Sequence, residues 1–271
     1  MAKRPFKSKF KSTNKKTALT GRRNFGADGR KVPLDIAILY GWHPVAEALK
    51  NPARRFRKLV LTENALRRLQ DAGIELPVQP EIVRPDALDE KLTPDAVHQG
   101  LYAETDPLPS PGLHELALDG LVLVLDQITD PHNFGAIVRT AAAFNVAAIV
   151  TTARHSPEAT GVLAKSASGG LEHAPISLVQ NLARAMAELK ERGFMLVGLA
   201  EDGETDMSDA KLRAPLALVL GAEGKGLRKL TRETCDLVAR LDLSGAIKSL
   251  NVSNATALSL YIADRAIRSK G

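Results

Sequence analysis

Unbroken apolar runs alternate with helical spacings over most of this 271-residue chain. Leu121-Val-Leu-Val-Leu125 is a continuous run suited to a strand covered on both faces. A helix is predicted from about Asn133 to Asn145, followed by a strand over Val146–Thr151. Phe194–Leu199, Leu216–Leu220 and Leu237–Leu241 read as further strands, with helices predicted at Val179–Arg192, Gly226–Cys235 and about Leu250–Arg268. Strands alternating with helices at this spacing predict an α/β unit with a parallel sheet and helices on both faces.

Upstream, a smaller α/β pattern covers 36–104. Its strands are Ile38–Tyr40, Lys58–Leu61, Ile82–Val83 and Gly100–Ala103, and its helices Val45–Lys50 and Ala65–Ala72. The two patterns are separated by Asp106-Pro-Leu-Pro-Ser-Pro-Gly112, too rich in proline for regular structure. We therefore expect a small domain over 36–104, a linker over 105–118 and a second domain over 119–271.

Charge changes the picture at the N-terminus. Residues 1–33 carry eleven Lys/Arg against the single acid Asp28, which leaves 26 basic against 30 acidic residues in the remainder. With few aliphatic residues, a segment 1–35 of this composition is expected to be disordered. A polyanion-binding arm is one reading, through counterion release from phosphates; a solubilising tail and a mitochondrial presequence are the others. No apolar run approaches the ~20 residues of a bilayer span, and the N-terminus lacks the apolar segment of a secretory signal. Cys235 is the only cysteine, which excludes an internal disulfide and a thiolate cluster and fits a reducing, cytoplasmic setting. The histidines His43, His98 and His132 lack metal-site spacing, so no metal is expected.

Three stretches of the second unit carry candidate chemistry. After the first strand comes Asp126-Gln-Ile-Thr-Asp130-Pro-His-Asn133-Phe-Gly135-Ala-Ile-Val-Arg139. The Gly-x-Gly-x-x-Gly of a dinucleotide-binding turn is absent, which argues against a nucleotide-dependent oxidoreductase. Asn133 reads as a helix cap and Gly135 as a packing glycine. Arg139 sits among Ile137, Val138, Ala141 and Ala142, beside a buried face where it should have a carboxylate or phosphate partner. The second stretch is Leu220-Gly221-Ala-Glu223-Gly224-Lys-Gly226-Leu227, which fails the phosphate-loop pattern because Leu227 follows Gly226. Glu223 could pair with Arg139 or accept from a ligand, and Lys225, Arg228 and Lys229 read mainly as a solvated face. The third is Ser249-Leu250-Asn251-Val252-Ser253-Asn254, a loop-to-helix junction with free backbone N–H groups, a serine cap and two asparagine amides.

In order and spacing these three stretches resemble the signature motifs of the SpoU (TrmH) RNA 2′-O-ribose methyltransferases, over about 120–268. Gly41-x-His43-Pro-Val45-x-Glu47-Ala48-Leu49 and His98-Gln99-Gly100 look like the substrate-binding domain, similar to ribosomal protein L30, of the family's large-subunit rRNA guanosine 2′-O-methyltransferases. The resemblance implies a trefoil-knotted parallel-sheet domain, a homodimer, and S-adenosylmethionine held by backbone around Gly221, Leu241 and Leu250. It places Asn133, Arg139, Glu223, Ser249 and Asn251 at the polar active-site positions. Where the family carries an Ile-Pro-Met-like triplet, this chain has Leu241-Asp242-Leu243.

The implied reaction needs the ribose 2′-oxygen positioned in line and its developing charge stabilised. A guanidinium essentially never deprotonates, so Arg139 is read as electrostatic stabiliser or phosphate clamp, oriented by Asn133 and Glu223. Aromatic residues are 4% of the chain, too sparse for a base-stacking platform. RNA contacts are expected from Arg54, Arg55, Arg57 and Lys58, with Trp42 and Tyr40 in the core. The expected substrate is a guanosine of 23S rRNA. A tRNA methyltransferase of the same family, or a non-catalytic RNA-binding or ribosome-assembly relative, are the alternatives.

Overall fold

A computed structural model of the chain describes residues 36–116, 120–157 and 160–268, with the short strands β1 (Asn24–Phe25) and β2 (Lys31–Val32), which pair antiparallel. The rest of the expected disordered tail 1–35, and the end of the expected linker at 117–118, lie outside the described residues.

The N-terminal sheet is built from β3 (Ala37–Tyr40), β4 (Phe56–Leu61), β5 (Glu81–Ile82) and β6 (Leu101–Thr105), in the order β3-β6-β4-β5. Helices α1 (Trp42–Lys50) and α2 (Glu63–Asp71) bury Val45, Ala48, Ala65 and Leu69 against it. A short helix, α3 (Pro85–Asp89), starts at a proline, which fits a first helical position; the sequence reading had no element there.

The second sheet contains β7 (Leu121–Asp126), β8 (Ala148–Thr152), β9 (Ile176–Val179), β10 (Met195–Leu199), β11 (Thr205–Asp206), β12 (Leu216–Gly221) and β13 (Leu237–Arg240). Its order is β11-β13-β10-β12-β7-β8-β9 and every pairing is parallel. Both faces are covered, as the apolar runs require. Leu121, Leu123 and Leu125 of β7 point into one core, and Val122 and Val124 into the other. The first core receives α4 (Pro131–Ala143) and α8 (Val252–Arg268); the second receives α6 (Leu182–Glu191).

Between β8 and β9 lies α5 (Gly161–Ala167), followed by a 3-10 turn over Gly170–Glu172. Neither α5 nor β9 was expected. Val179 ends β9 rather than starting a helix, and Asn181 caps α6 by accepting from the Arg184 N–H. The helix expected over Gly226–Cys235 is reduced to α7 (Lys229–Thr234), because Gly224 and Gly226 hold positive φ in the turn before it.

Candidate active site

The ends of β10, β12 and β13 open into a cleft of about 700 Å³. Carboxyl ends of parallel strands are the usual place for ligands in open α/β sheets. Three chain segments form its walls: 199–202, 220–227 and 240–250. Gly221 cannot carry a side chain, because a Cβ there would run into the backbone of Gly226 across the turn. Gly221, Leu241, Leu250 and Ser249 all line the cleft, with Leu199 and Leu220 adding apolar floor.

At the cleft's edge the three motifs meet on one oxygen. Glu223 Oε1 accepts from Asn251 Nδ2 at 2.7 Å, from the Val252 N–H at 3.1 Å and from Asn133 Nδ2 at 3.2 Å. Asn251 Nδ2 also donates to Asn133 Oδ1 at 2.9 Å. The local structure explains this convergence. Asp130, not Asn133, caps α4, accepting from the His132 N–H at 2.9 Å. Asn133 is thereby freed for Glu223. Likewise the α8 cap is Asn251 rather than a serine: its Oδ1 accepts from the Ser253 N–H at 2.9 Å, and its carbonyl from the Ala255 N–H. Glu223 takes a further orphan N–H at the positive end of α8, a favourable place for a carboxylate.

Arg139 departs from expectation. It lies on the solvent side of α4, exposed, and its guanidinium has no partner among the described residues. Glu223 therefore does not pair with it. The apolar neighbours that suggested a buried position, Ile137, Val138 and Ala141, point into the core on another face of the helix. Gly135 fits the packing reading: a Cβ there would press on Ser166 and on the Leu163 carbonyl of α5.

Two polar networks hold the cleft walls, and neither was foreseen. Asp126, buried at the end of β7, accepts from the Arg228 N–H at 3.1 Å and from its Nε at 2.7 Å. Arg228 is thus a strut for Asp126 while its side chain stays on the solvated face expected of it. Its signal was an acid closing an otherwise apolar strand. Asp242 accepts from Arg240 Nε at 2.7 Å and donates its own N–H to Asp206 at 2.8 Å. Arg240 in turn donates to the carbonyls of Gly203 and Glu204. Hydrogen bonds from the Ser208 hydroxyl and N–H, and from the Asp242 N–H, hold the Asp206 carboxyl below the usual range. The unusual Asp242 thus helps fix the loop beside Glu201 and Asp202.

A model described as the SpoU rRNA Methylase family matches residues 120–261, and one described as RNA 2'-O ribose methyltransferase substrate binding matches 38–111. The chain belongs to the SpoU rRNA methylase family. It is similar to the 23S rRNA (guanosine-2'-O-)-methyltransferase RlmB of Ralstonia nicotianae, 39% identical over 243 residues, which cover 84% of this chain and 95% of that protein. The enzyme of the same description from Pseudomonas aeruginosa is 40% identical over 237 residues, covering 82% and 94%. The SpoU methyltransferase AviRb from Streptomyces viridochromogenes, solved in complex with AdoMet, superposes with a TM-score of 0.72 at 25% identity, covering 86% of this chain and 91% of that one.

Within this SpoU chain the expected RNA patch is largely spent on internal pairs. Arg54 is buried and bound to Glu172. Arg57 pairs with Asp106 at 2.5 Å and Lys58 with Glu81 at 2.7 Å. Only Arg55 is exposed with a guanidinium that has no partner among the described residues. Trp42 is half-buried, and Arg68 stacks over its ring at 3.7 Å from the centroid. No group of His, Cys, Asp and Glu suited to a metal occurs among the described residues, and no helix among them is long and apolar enough to cross a membrane.

Proposed function

We propose that this chain transfers a methyl group from S-adenosylmethionine to the ribose 2′-oxygen of a guanosine in 23S rRNA, as a cytoplasmic homodimer. The observation that carries the reading is the convergence of Asn133, Asn251 and the α8 N-terminus on Glu223 Oε1 beside the cleft. The relatives at 39% and 40% identity supply the substrate class, and Cys235 as the lone cysteine suits a reducing compartment.

The cleft fits the cofactor. Its volume lies in the usual range for small-molecule sites, its floor is apolar, and its loops present backbone close to the space a ligand would fill. Backbone around Gly221, Leu241 and Leu250 would hold the cofactor, with Arg240 and Asp242 keeping the third wall in place. The chemistry supplied by bound S-adenosylmethionine is a methyl group already activated on a sulfonium sulfur. We read the C-terminal segment, with α8 (Val252–Arg268) following the Ser249-Leu250-Asn251 junction, as the threaded tail of the trefoil knot.

The remaining work falls to the chain's own side chains. Glu223 fixes the Asn133 and Asn251 amides, so the pair is oriented before RNA arrives; such preorganisation is the main source of electrostatic catalysis. Ser249 on the cleft wall has a hydroxyl without a partner among the described residues, and we assign it to the ribose. Among the described residues Arg139 keeps all five donors open. We assign it to the developing 2′-oxyanion or to the adjacent phosphate, as stabiliser rather than base. The exposed Leu258 and Tyr261 of α8, opposite a face buried in the core, support a dimer contact there.

The test is ribose-methylation mapping of rRNA and tRNA from cells with and without the protein. Loss of one guanosine 2′-O-methyl in 23S rRNA is expected. A change confined to tRNA would overturn the target, and an unchanged map would leave only a non-catalytic role.

A further inference from the structure

The two sheets of this chain are joined by more than a proline-rich connection. Arg54, which follows α1, and Glu172, in the 3-10 turn after α5, form an ion pair whose side chains are 2% and 3% exposed. The guanidinium forks onto the carboxylate, Nη2 to Oε1 at 2.5 Å and Nε to Oε2 at 3.2 Å. Its remaining arm, Nη1, donates to the Asp106 carbonyl at 3.1 Å and to Thr105 Oγ1 at 3.4 Å. Asn51 Nδ2 donates to Glu172 Oε2 at 2.7 Å. Both charges are thus satisfied inside a buried seam, the condition under which a buried pair can hold a defined geometry.

Other contacts run along the same seam. Lys165 of α5 donates to the Val97 carbonyl at 2.8 Å and to Gln99 Oε1 at 3.4 Å. His173 bonds Glu47 of α1 at 3.0 Å. Ala164 of α5 sits within the hydrophobic core of the N-terminal sheet, and Leu171 packs on the cores of both units.

The far side of these elements touches the active-site helix. Gly135 of α4 lies against Leu163, Ser166 and Ala167 of α5 too closely for any side chain. Gly170, two residues before Glu172, faces the backbone of Arg139 and the Val138 carbonyl, where a Cβ would be 3.0 Å from Arg139 Cα. One unbroken path of packed groups therefore runs from Arg54 through Glu172 and Gly170 to Arg139.

We propose that the Arg54–Glu172 pair is a positioning lock, which sets the N-terminal sheet at a fixed distance from Arg139 so that an RNA gripped by that sheet presents one ribose to the cleft. The lock makes the N-terminal domain a rigid ruler rather than a tethered hand. Its substrate is a folded RNA large enough to touch both sides of the seam. The inference rests on the methyltransferase reading above.

The test uses the full chain with Glu172→Gln, which keeps the shape and removes the charge, on an in vitro transcript of 23S rRNA. Rates are normalised to the number of sites that bind S-adenosylmethionine, and methylated riboses are mapped. The expected result is a fall in kcat of about tenfold to hundredfold, unchanged cofactor affinity, and methyl groups spread to riboses neighbouring the wild-type target. A lower unfolding temperature with normalised kcat and map unchanged would overturn the lock. If Glu172→Gln does not fold, Lys165→Met at the other tie decides: a spread map supports the lock and a wild-type map overturns it. A wild-type protein that binds the cofactor yet methylates no RNA would sink the function instead, so the two failures are distinguishable.

Discussion

Arg54 and Arg139 are the same side chain put to opposite uses. Arg54 is buried, its donors directed at Glu172, Thr105 and the Asp106 carbonyl. Arg139 is exposed and has no partner among the described residues. From local composition the two looked reversed, with Arg54 in an exposed basic patch and Arg139 beside an apolar face. The difference teaches that an arginine's role follows from where its donors are spent. A guanidinium closed on a buried carboxylate builds architecture; one left open to solvent still has its donors to spend.

The sharpest way to break this comparison is to remove each guanidinium in turn. Arg54→Met leaves Glu172 charged and buried without its partner, so unfolding free energy should fall by about 3–5 kcal/mol in urea titration. An unchanged midpoint would mean that the seam opens to water without cost. Arg139→Ala should leave that midpoint within about 0.5 kcal/mol and lower turnover by roughly 10²–10³. Next comes Asn251→Ala, which deletes the α8 cap and one of the three donors on Glu223. It should cost about 1 kcal/mol of stability and slow methyl transfer as well; loss of stability alone would reduce Asn251 to a cap.

Arg55 sharpens the contrast within a single patch. With no partner to lose, Arg55→Ala should move stability by less than about 0.5 kcal/mol, while the salt dependence of RNA binding, as log K against log salt, should flatten by about one unit. A large thermal shift would show that Arg55 is architectural like its neighbour. The smallest effect concerns Cys235, whose thiol burial pushes up to about 12. The folded chain keeps it protonated, whereas an unfolded chain ionises it near pH ~8.5. Its contribution to stability is therefore whole below that pH and declines as pH rises above it. Alkylation of the native protein at pH 8 should be much slower than after denaturation; equal rates would contradict the burial.

Much of this was legible in the residues. The runs Leu121–Leu125 and Leu216–Leu220 announced buried parallel strands because both faces needed apolar side chains. Motif order brought Asn133, Glu223 and Asn251 to one region. What could not be read was pairing across the chain. Arg54 and Glu172 are separated by 118 residues, and nothing near either predicts the other. Asn133 resembled a cap because asparagine suits that role, but the local signal for Asp130 was Pro131, which fits the first helical position directly after it. Helix α5 was missed because seven residues framed by glycine and serine carry too little periodicity to register.

The most direct test of the open-arginine claim is single-turnover methyl transfer by Arg139→Ala at saturating S-adenosylmethionine and 23S rRNA transcript, with cofactor affinity measured on the same preparation. The predicted result is a transfer rate lower by about 10²–10³ with cofactor affinity unchanged. Intact single-turnover transfer alongside a large loss of cofactor affinity would contradict it, and would move Arg139 from the reacting oxygen to the cofactor.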